Sequence, residues 1–214
     1  MKLYGYWRSS SSWRVRIALN LKGLAYEQVA VNLLEGEQHR EAWKQLNPSG
    51  TVPLLEVEES GQRVRISQSL AIIEYVEERF PTPALLPKHP YLRARARMLA
   101  EQVNSGIQPL QNLAVLQHVD GLAPDARKAW AAHWIDRGLR SLQTMAEETA
   151  GTWLLGEHPT VADCCLIPQL YAARRFGVDL STLGLLLRVE QAAERHPAFT
   201  AAHPDRQPDA PANT

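Results

Sequence analysis

Four consecutive serines, 9–12, lie where the pattern of the chain changes from a strand to a helix. Residues 2–6 alternate in the manner of a strand, whereas Trp13, Ile17 and Leu21 recur at helical spacing. A helix N-terminus presents unpaired backbone N–H groups and the positive end of the helix dipole, and serine hydroxyls add further donors. The cluster is therefore either a serine-rich N-cap or an anion-binding site.

The composition of the 214-residue chain narrows the classes of function that it can have. Its 23 basic and 23 acidic residues leave no net charge, so we expect no nucleic-acid partner. No apolar run approaches roughly 18 residues, so we expect neither a signal peptide nor a membrane partner. The seven histidines lack metal-ligand spacing, so no metal site is expected. Cys164 and Cys165 are adjacent, which excludes a disulfide framework and favours a cytoplasmic location.

The elements that must position the serines follow in a recognisable order. A second strand after the first helix predicts a βαβ unit with parallel pairing. Pro53 is expected at the first position of the third strand, where its missing N–H does least harm. Ser69 is expected to be the N-cap of the next helix. The predicted elements after the first helix are a strand at 26–31, a short helix at 38–46, strands at 51–57 and 63–66, and a helix from residue 70. The order is βαβαββα.

The second part of the chain is predicted to be helical throughout. Three prolines within 80–87 indicate an interdomain linker. The predicted helices are at 90–119, 124–149, 161–176 and 184–195, with Asp120-Gly121 as the break between the first two. The proline-rich tail from His196 is expected to be irregular. We therefore predict a small α/β domain at 1–80 and an all-helical domain at 88–214.

Several motifs in this order resemble a known family. A βαβαββα unit is similar to a thioredoxin-like domain, and with a helical second domain it resembles the cytosolic glutathione transferases. Val52-Pro53 is similar to the family's Val-Pro, whose proline is cis and whose valine backbone pairs with the cysteinyl part of glutathione. Gln68-Ser69 resembles the pair that holds the γ-glutamyl group. Thr160 and Asp163 resemble the family's capping box in the helical domain.

The resemblance is closest to the zeta class of that family. Residues 8–16 are similar to the zeta signature Ser-Ser-Cys-x-Trp-Arg-Val-Arg, with Ser11 in the place of the cysteine. That departure bears on any side activity that needs a protein thiol, and less on activity carried by the first serine. Further zeta-like segments lie at 68–75, 106–113, 175–180 and 207–209. The resemblance extends over essentially the whole chain.

The resemblance implies a glutathione-dependent cis–trans isomerase acting on maleylacetoacetate. In that chemistry the thiolate of glutathione adds to the conjugated double bond, which leaves an enolate and a rotatable single bond. Elimination then returns the trans isomer and the intact cofactor. Three alternatives stay open: isomerisation of maleylpyruvate, conjugation of glutathione to α-halo acids or other electrophiles, and a glutathione-binding module with a regulatory role. The family resemblance also implies a homodimer.

The catalytic positions follow from the same resemblance. Ser9 matches the first serine of the signature and is expected to donate to the sulfur of glutathione, which favours the ionised thiol. Ser10 and Ser11 are expected to add hydroxyl or backbone contacts. Arg8 and Arg175 are expected to bind the carboxylates of the substrate in bidentate fashion. For both arginines a surface or structural ion pair is the competing explanation.

The glutathione-contact positions are also implied by the resemblance. Without it each would be ordinary, since Gln38 could face solvent and Gln108 could cap a bent helix before Pro109. Trp7 and Trp13 also fit a core role, and Cys164 and Cys165 are expected to pack inside a helix. The implied contacts are Ser9, Ser10, Ser11, Ser12, Trp13, Arg14, Gln38, Val52, Pro53, Gln68, Ser69, Gln108, Asn112, Leu113 and Ala114.

Overall fold

The first compact unit of the protein is built on a four-stranded mixed sheet with the strand order β2-β1-β3-β4. The computed structural model describes residues 1–211. The elements of this part are β1 (Lys2–Gly5), α1 (Ser10–Leu21), β2 (Glu27–Ala30), α2 (Glu41–Leu46), β3 (Leu54–Glu59), β4 (Gln62–Ser67) and α3 (Ser69–Arg79). The predicted order βαβαββα is confirmed.

The pairing of the strands follows the connections between them. β1 and β2 are joined through α1 and pair in parallel, as the βαβ prediction requires. β3 pairs antiparallel with β1 on one side and with β4 on the other, and a tight turn at Ser60 and Gly61 joins β3 to β4. Both of these turn residues have positive φ angles. β1 and β3 occupy the centre of the sheet, and Leu3 and Leu55 on them are fully buried.

Three local predictions in this unit need correction. The segment at 38–46 is a 3-10 turn, Glu37–His39, followed by α2, because Arg40 has extended backbone angles between them. β3 begins at Leu54, so Pro53 precedes the strand and is not its first residue. The N-cap of α3 is Gln68 and not Ser69, which is the first residue of the helix.

The second compact unit, Leu86–Arg195, is helical among the residues that the structure describes. Its elements are α4 (Pro90–Asn104), a 3-10 turn at Gln108–Gln111, α5 (Leu113–Leu122), α6 (Arg127–Ala146), α7 (Val161–Phe176) and α8 (Gly184–Glu194). α7 and α8 agree with the prediction. The break predicted at Asp120-Gly121 lies at 123–126, because α5 continues to Leu122, and a further break at 105–112 was not predicted.

The tail from His196 is more ordered than its prolines suggest. It contains α9 (Pro197–Ala201) and a 3-10 turn at Pro204–Arg206, each begun by a proline in the position where a missing N–H costs nothing. His196 and His203 precede these prolines, and the Nδ1 atom of each accepts a hydrogen bond from a backbone N–H of the helix or turn that follows. The part of the predicted irregular tail at 212–214 lies outside the described residues.

The tail belongs to the first compact unit and not to the helical one. Residues from His196 onward group with Met1–Leu85. Asn20 on α1 donates to the carbonyl of Ala198 at 3.0 Å, and α9 packs against α1. The predicted helical domain at 88–214 thus extends beyond the second unit, which ends at Arg195.

The predicted linker after α3 has no helix or strand, but its end is packed. Leu85 is buried, and its N–H donates to the carboxylate of Glu77 at 2.9 Å. The same carboxylate receives the buried ammonium of Lys22 at 2.5 Å. None of the described helices is long and apolar enough to cross a membrane. Cys164 and Cys165 are buried in α7, as predicted.

Candidate functional site

One end of the sheet carries the residues that the sequence marked for ligand binding in the first unit. Gly5 at the end of β1 pairs with Ala30 at the end of β2, and the first residue of β3, Leu54, pairs with both Tyr4 and Ser67. The end of β1, the end of β4 and the start of β3 therefore meet at one edge. Neighbouring strands lie about 4.8 Å apart, so this edge spans about 15 Å across the four strands.

Ser9 joins the loop after β1 to the start of α1 and caps that helix. Its backbone is extended, and its Oγ accepts from the N–H of Ser12 at 3.2 Å. Its own N–H donates to the carbonyl of Tyr6 at 3.0 Å. The first turn of α1 contains no acidic residue, so the helix itself supplies no negative side chain at the positive end of its dipole. Ser9, Ser10 and Ser11 are all half-buried.

Val52 and Pro53 lie immediately before β3 at the same end of the sheet. The peptide bond between them is cis, as the resemblance implied. The side chain of Val52 packs against the apolar cluster formed by Val31, Trp43 and Leu54, which anchors this segment. Val52 itself lies outside the strand ladder, whose register on β3 begins at Leu54. Its backbone groups are therefore not committed to the sheet.

Gln38 lies beside this segment. A Cβ added to Gly50 would lie 3.2 Å from the backbone carbonyl of Gln38, so the two segments are in close contact. Gln38 is 6% exposed, and its Nε2 atom is 3.1 Å from Nε2 of His39. Its Oε1 atom is buried without a hydrogen-bond partner among the described residues. A buried acceptor in this state is costly unless something supplies a donor.

Gln68 connects the end of β4 to the start of α3. Its φ angle is 69°, which non-glycine residues rarely adopt and which costs on the order of 1–3 kcal/mol. Its side chain is exposed and makes no capping hydrogen bond to α3, while Ser69 is buried. The first turn of α3, like that of α1, lacks an acidic residue. Two helix N-termini that lack acidic residues in their first turns therefore follow strand ends at the same end of the sheet.

The remaining predicted positions of the first unit have buried or half-buried side chains. Ser12, Trp13 and Arg14 are 0%, 3% and 0% exposed, and the Trp13 ring centroid lies 5.3 Å from that of His203. Their side chains belong to the buried face of α1. Arg8 is half-buried, and its guanidinium lies 5.1 Å from the centroid of the Trp7 ring.

The other predicted contacts lie in the second unit and are described by themselves. Gln108 is the first residue of the 3-10 turn, and Gln111 is the last. The side-chain amides of Gln111 and of Gln169 on α7 donate to each other, at 3.0 and 3.1 Å, which fixes the turn to α7. Asn112 is the N-cap of α5, and its Oδ1 accepts from the N–H of Ala114 at 3.0 Å. The three residues that begin α5 at this point, Asn112, Leu113 and Ala114, are all exposed.

Arg175 lies near the C-terminal end of α7 with an exposed side chain. Its guanidinium is 5.8 Å from the centroid of the Phe176 ring. The neighbouring Arg174 forms a two-pronged ion pair with Glu190, with both N–O distances at 2.5 Å. This contact raises the pKa of the Arg174 guanidinium. The two adjacent arginines therefore have different surroundings.

Sequence reasoning missed two charged residues that contact the loop before Ser9. Asp209 accepts a hydrogen bond from the N–H of Trp7, and Arg16 donates one to the carbonyl of Trp7, each at 2.8 Å. The sequence indicates only that both residues belong to zeta-like segments, Arg16 at 8–16 and Asp209 at 207–209. No local pattern indicates the contact, because 202 positions separate Asp209 from Trp7.

Two family models match the chain. The model "Glutathione S-transferase, N-terminal domain" matches residues 1–78, and "Glutathione S-transferase, C-terminal domain" matches residues 128–203. Among curated proteins, a maleylacetoacetate isomerase of Pseudomonas aeruginosa is 47% identical over 99% of this chain and 100% of its own length. Together these findings confirm the predicted fold class, a thioredoxin-like domain with a helical second domain.

Solved structures give the same family. A maleylacetoacetate isomerase from Anaeromyxobacter dehalogenans, with glutathione in its active site, is 54% identical, with a TM-score of 0.93 over 98% of this chain and 97% of that one. The same enzyme has also been solved with dicarboxyethyl glutathione and citrate, at a TM-score of 0.92 over the same shares of the two chains. A bacterial zeta-class maleyl pyruvate isomerase is 42% identical, with a TM-score of 0.93 over 99% of this chain and 100% of that one.

Proposed function

The chain belongs to the zeta class of the glutathione S-transferase family, and on that premise we propose that it is a glutathione-dependent cis–trans isomerase of maleylacetoacetate. The observation that supports this proposal is that Ser9, Val52 and Gln68 follow or precede strand ends, at Gly5, Leu54 and Ser67, that lie at one end of the sheet. Each provides a different kind of contact: a hydroxyl at a helix start, backbone groups just before β3 that are outside the sheet, and a turn with a positive φ angle before a second helix.

The donors and acceptors at this end of the sheet fit glutathione. Glutathione carries two carboxylates, and two helix N-termini without acidic residues offer N–H groups for anions. It also carries amide N–H groups and an ammonium, and the buried Oε1 of Gln38 lacks a donor. We therefore assign Gln38, Val52, Pro53, Gln68 and Ser69 to glutathione binding.

When bound, glutathione supplies a thiol nucleophile that adds to the conjugated double bond and leaves again after rotation. The task of this chain is to hold the sulfur in its ionised form. Ser9 can do this because its Oγ accepts from Ser12 through a lone pair, which leaves the hydroxyl proton available as a donor. The N–H groups of Ser10 and Ser11 lie in the first helical turn, where no intrahelical acceptor exists, and they favour negative charge at the same place.

The carboxylates of the substrate are assigned to Arg8 and Arg175. Arg8 adjoins Ser9 in sequence, and its guanidinium is half-buried, so a carboxylate bound there would be partly shielded from water. Support for a diacid comes from the Anaeromyxobacter relative, which binds dicarboxyethyl glutathione, a glutathione thioether with two added carboxylates. Arg175 is assigned because the family resemblance gives this position that role and its side chain is exposed.

The remaining assignments concern backbone and second-unit contacts. Ser12, Trp13 and Arg14 have buried side chains, so a contribution to glutathione binding from them would come through the backbone of α1. Gln108, Asn112, Leu113 and Ala114 are proposed as further contacts from the second unit. Asn112 already uses Oδ1 to cap α5, which leaves its amide NH₂ as the group available to a ligand.

Maleylpyruvate is the second candidate substrate. It is favoured by one observation, the 42% identity and 0.93 TM-score to a zeta-class maleyl pyruvate isomerase. Both substrates are diacids with a cis double bond conjugated to a carbonyl group, so the proposed Ser9 and Arg8 roles are the same for each. The two substrates differ in the length of their carbon chains, and maleylpyruvate is the shorter.

A comparison of acceptors tests the proposal. The values of kcat/KM are measured with maleylacetoacetate, maleylpyruvate and chloroacetate at saturating glutathione. We expect maleylacetoacetate to be isomerised fastest and chloroacetate slowest. Faster isomerisation of maleylpyruvate would favour the second candidate. Conjugation of chloroacetate without isomerisation of either diacid would indicate a transferase, and glutathione binding without any reaction would indicate a regulatory module.

We also propose that the protein is a homodimer and acts in the cytoplasm. The first proposal rests on the family, and the second on the adjacent cysteines, which favour a reducing compartment. Light scattering at micromolar concentration is expected to give twice the chain mass of 24.0 kDa. A mass equal to that of one chain would contradict the dimer.

A further inference from the structure

The backbone on both sides of Trp7 is fixed by charged side chains. The N–H of Trp7 donates to Oδ2 of Asp209, and the carbonyl of Trp7 accepts from Nη2 of Arg16, each at 2.8 Å. The N–H belongs to the peptide unit before Trp7 and the carbonyl to the unit after it. Since peptide units are planar, the two bonds together restrict rotation about the φ and ψ angles of Trp7. Ser9 follows only two residues later.

Both charged residues are themselves anchored. The other carboxylate oxygen of Asp209 accepts from Nε2 of Gln28 on β2 at 2.9 Å. The guanidinium of Arg16 is 1% exposed, and its Nε donates to the carbonyl of Ala202, just after α9, at 3.2 Å. Burial lowers the pKa of Arg16 to about 10, while the nearby Asp209 opposes that shift. The guanidinium therefore stays charged at neutral pH.

These contacts tie the loop before Ser9 to the C-terminal segment at two points. Asp209 is a direct tie, and Arg16 is a tie through Ala202. We propose that Asp209 and Arg16 are positioning residues for Ser9, and that the segment 196–211 thereby sets where the Ser9 hydroxyl points. This proposal rests on the role given to Ser9 in the proposed function.

The physical basis is the precision that such a site needs. Hydrogen-bond strength falls steeply with misalignment, and a small displacement of a positioned group can greatly reduce the rate of a reaction. A loop held only by its own backbone would sample several orientations. Here the φ and ψ angles that lead into Ser9 are held by bonds to charged partners, which are stronger than neutral hydrogen bonds.

The tail also has a simpler interpretation, in which it only stabilises the unit. Three variants separate the two interpretations. Asp209→Ala removes both hydrogen bonds of the carboxylate. Asp209→Asn removes the charge but can keep both bonds, because Oδ1 can accept from Trp7 while Nδ2 donates to a flipped Gln28 amide. Asp205→Ala is the matched control, since Asp205 is an exposed carboxylate of the same tail that contacts His203 instead.

The first readout needs no glutathione. Amide hydrogen exchange at Trp7, measured by NMR on the free protein, is expected to speed up by about tenfold or more in Asp209→Ala. Asp209→Asn is expected to give a smaller increase, because a neutral acceptor replaces the charged one, and Asp205→Ala is expected to exchange at close to the wild-type rate. Gln28→Ala removes only the second anchor of the carboxylate and is expected to give a smaller change in the same direction. That variant keeps the test usable if Asp209→Ala does not fold.

The second readout is the titration midpoint of the thiol of bound glutathione. Asp209→Ala is expected to raise it, and combining Asp209→Ala with Ser9→Ala is expected to add nothing to the effect of Ser9→Ala alone. A purely structural tail would not produce this non-additivity. Suppose that the bound thiol titrates normally in the wild type. If Asp209→Ala then leaves the titration midpoint unchanged, or leaves exchange of the Trp7 amide as slow as in the wild type, the positioning role is overturned. The proposed function is unaffected by that result. A wild type that binds no glutathione overturns both.

Discussion

Ser9 is given two roles that use different parts of one hydroxyl group. As an N-cap it accepts from Ser12, and as the proposed partner of the glutathione sulfur it donates its proton. Any substitution that removes the hydroxyl therefore affects both stability and thiol ionisation. A substitution that retains the hydroxyl can separate the two effects.

Ser9→Ala is expected to raise the midpoint of the bound thiol by roughly one pH unit, which corresponds to about 1.4 kcal/mol. The shift is partial because the helix dipole and backbone N–H groups remain. The same change is expected to lower the free energy of unfolding by about 0.5–2 kcal/mol through loss of the cap. Absorbance near 240 nm follows the thiolate in the complex, and urea unfolding gives the stability.

Ser9→Thr is the control for that experiment, since threonine retains both a cap acceptor and a donor. Ser11→Ala tests the neighbouring hydroxyl, and Ser11→Cys restores the signature residue. Both are expected to leave the midpoint nearly unchanged. A shift in Ser11→Ala together with none in Ser9→Ala would reverse the assignment of the two serines.

Adjacent arginines on α7 allow a matched test of substrate recognition. Arg175→Ala is expected to lower kcat/KM for maleylacetone by about fivefold, or about 1 kcal/mol, because the substrate carboxylate loses a charged partner at an exposed position. The loss with a neutral chlorinated nitrobenzene is expected to be much smaller. Arg174→Ala removes the ion pair with Glu190 and is expected to affect both substrates equally. Equal losses in Arg175→Ala would assign Arg175 to structure.

For single residues, the sequence predicted where helices begin better than it predicted the backbone conformation at those points. The start of α1 after a serine follows from local chemistry, since serine caps are intrinsic preferences. Ser69 was predicted as a cap by the same logic and is not one, because Gln68 enters α3 with a positive φ angle. Glutamine has no preference for that conformation, so only the surrounding structure explains it.

Among the elements, α7 shows how a cap can depend on pH. Thr160 and Asp163 form a full capping box, and the carboxylate of Asp163 also accepts from the N–H of Leu154 at 2.9 Å. Burial raises the pKa of Asp163 from 3.8 to about 6 and outweighs these hydrogen bonds, which lower it. Between those two values the folded protein holds the proton more tightly than the unfolded chain does.

The stability contributed by this raised pKa is therefore present below pH 3.8 and lost as the pH rises through about 6. A shift of about 2 units corresponds to about 3 kcal/mol. Asp163→Asn removes the titrating group. The unfolding free energy of the wild type, minus that of the variant, is therefore expected to fall as the pH rises from 4 to 7. Urea unfolding at several pH values measures it, with the exposed Asp205→Asn as control. A difference that rises with pH would mean that the folded carboxylate is stabilised instead.

Of the two breaks between α4 and α6, the sequence predicted one to within a few residues and missed the other. The break predicted at Asp120-Gly121 begins after Leu122, and the carboxylate of Asp120 bridges it by accepting from the N–H of Arg127 at the start of α6. The break that the sequence missed, at 105–112, contains Ile107, which packs against Gly138 so closely that a Cβ added to Gly138 would lie 2.3 Å from Ile107. No local pattern encodes a contact between residues this far apart.

At the scale of the whole molecule, the sequence predicted the fold class but not the path of the tail. Hydrophobic periodicity and a family resemblance were enough for the two kinds of domain. The prolines of the tail were interpreted as breakers, whereas Pro197 and Pro204 begin short helical turns. The return of the tail to α1 depends on Arg16 and Asp209, whose partners are distant in sequence.

Binding of glutathione by the folded protein is expected to stabilise it. A ligand that binds only the folded state at one hundred times its dissociation constant contributes about 2.7 kcal/mol. The melting temperature is therefore expected to rise with glutathione in the millimolar range, and S-methyl glutathione serves as a control that cannot ionise at sulfur. Absence of any shift in the folded protein would count against glutathione binding.

The central claim is that glutathione is used and returned, and the most direct test is the stoichiometry of turnover. Purified protein is given maleylacetone in large excess over glutathione, and trans product and free thiol are measured together. We predict conversion of all the substrate, with many products per glutathione, a rate that saturates with glutathione, and a constant amount of thiol. Loss of one glutathione for each substrate consumed, or isomerisation at the same rate without glutathione, would contradict the claim.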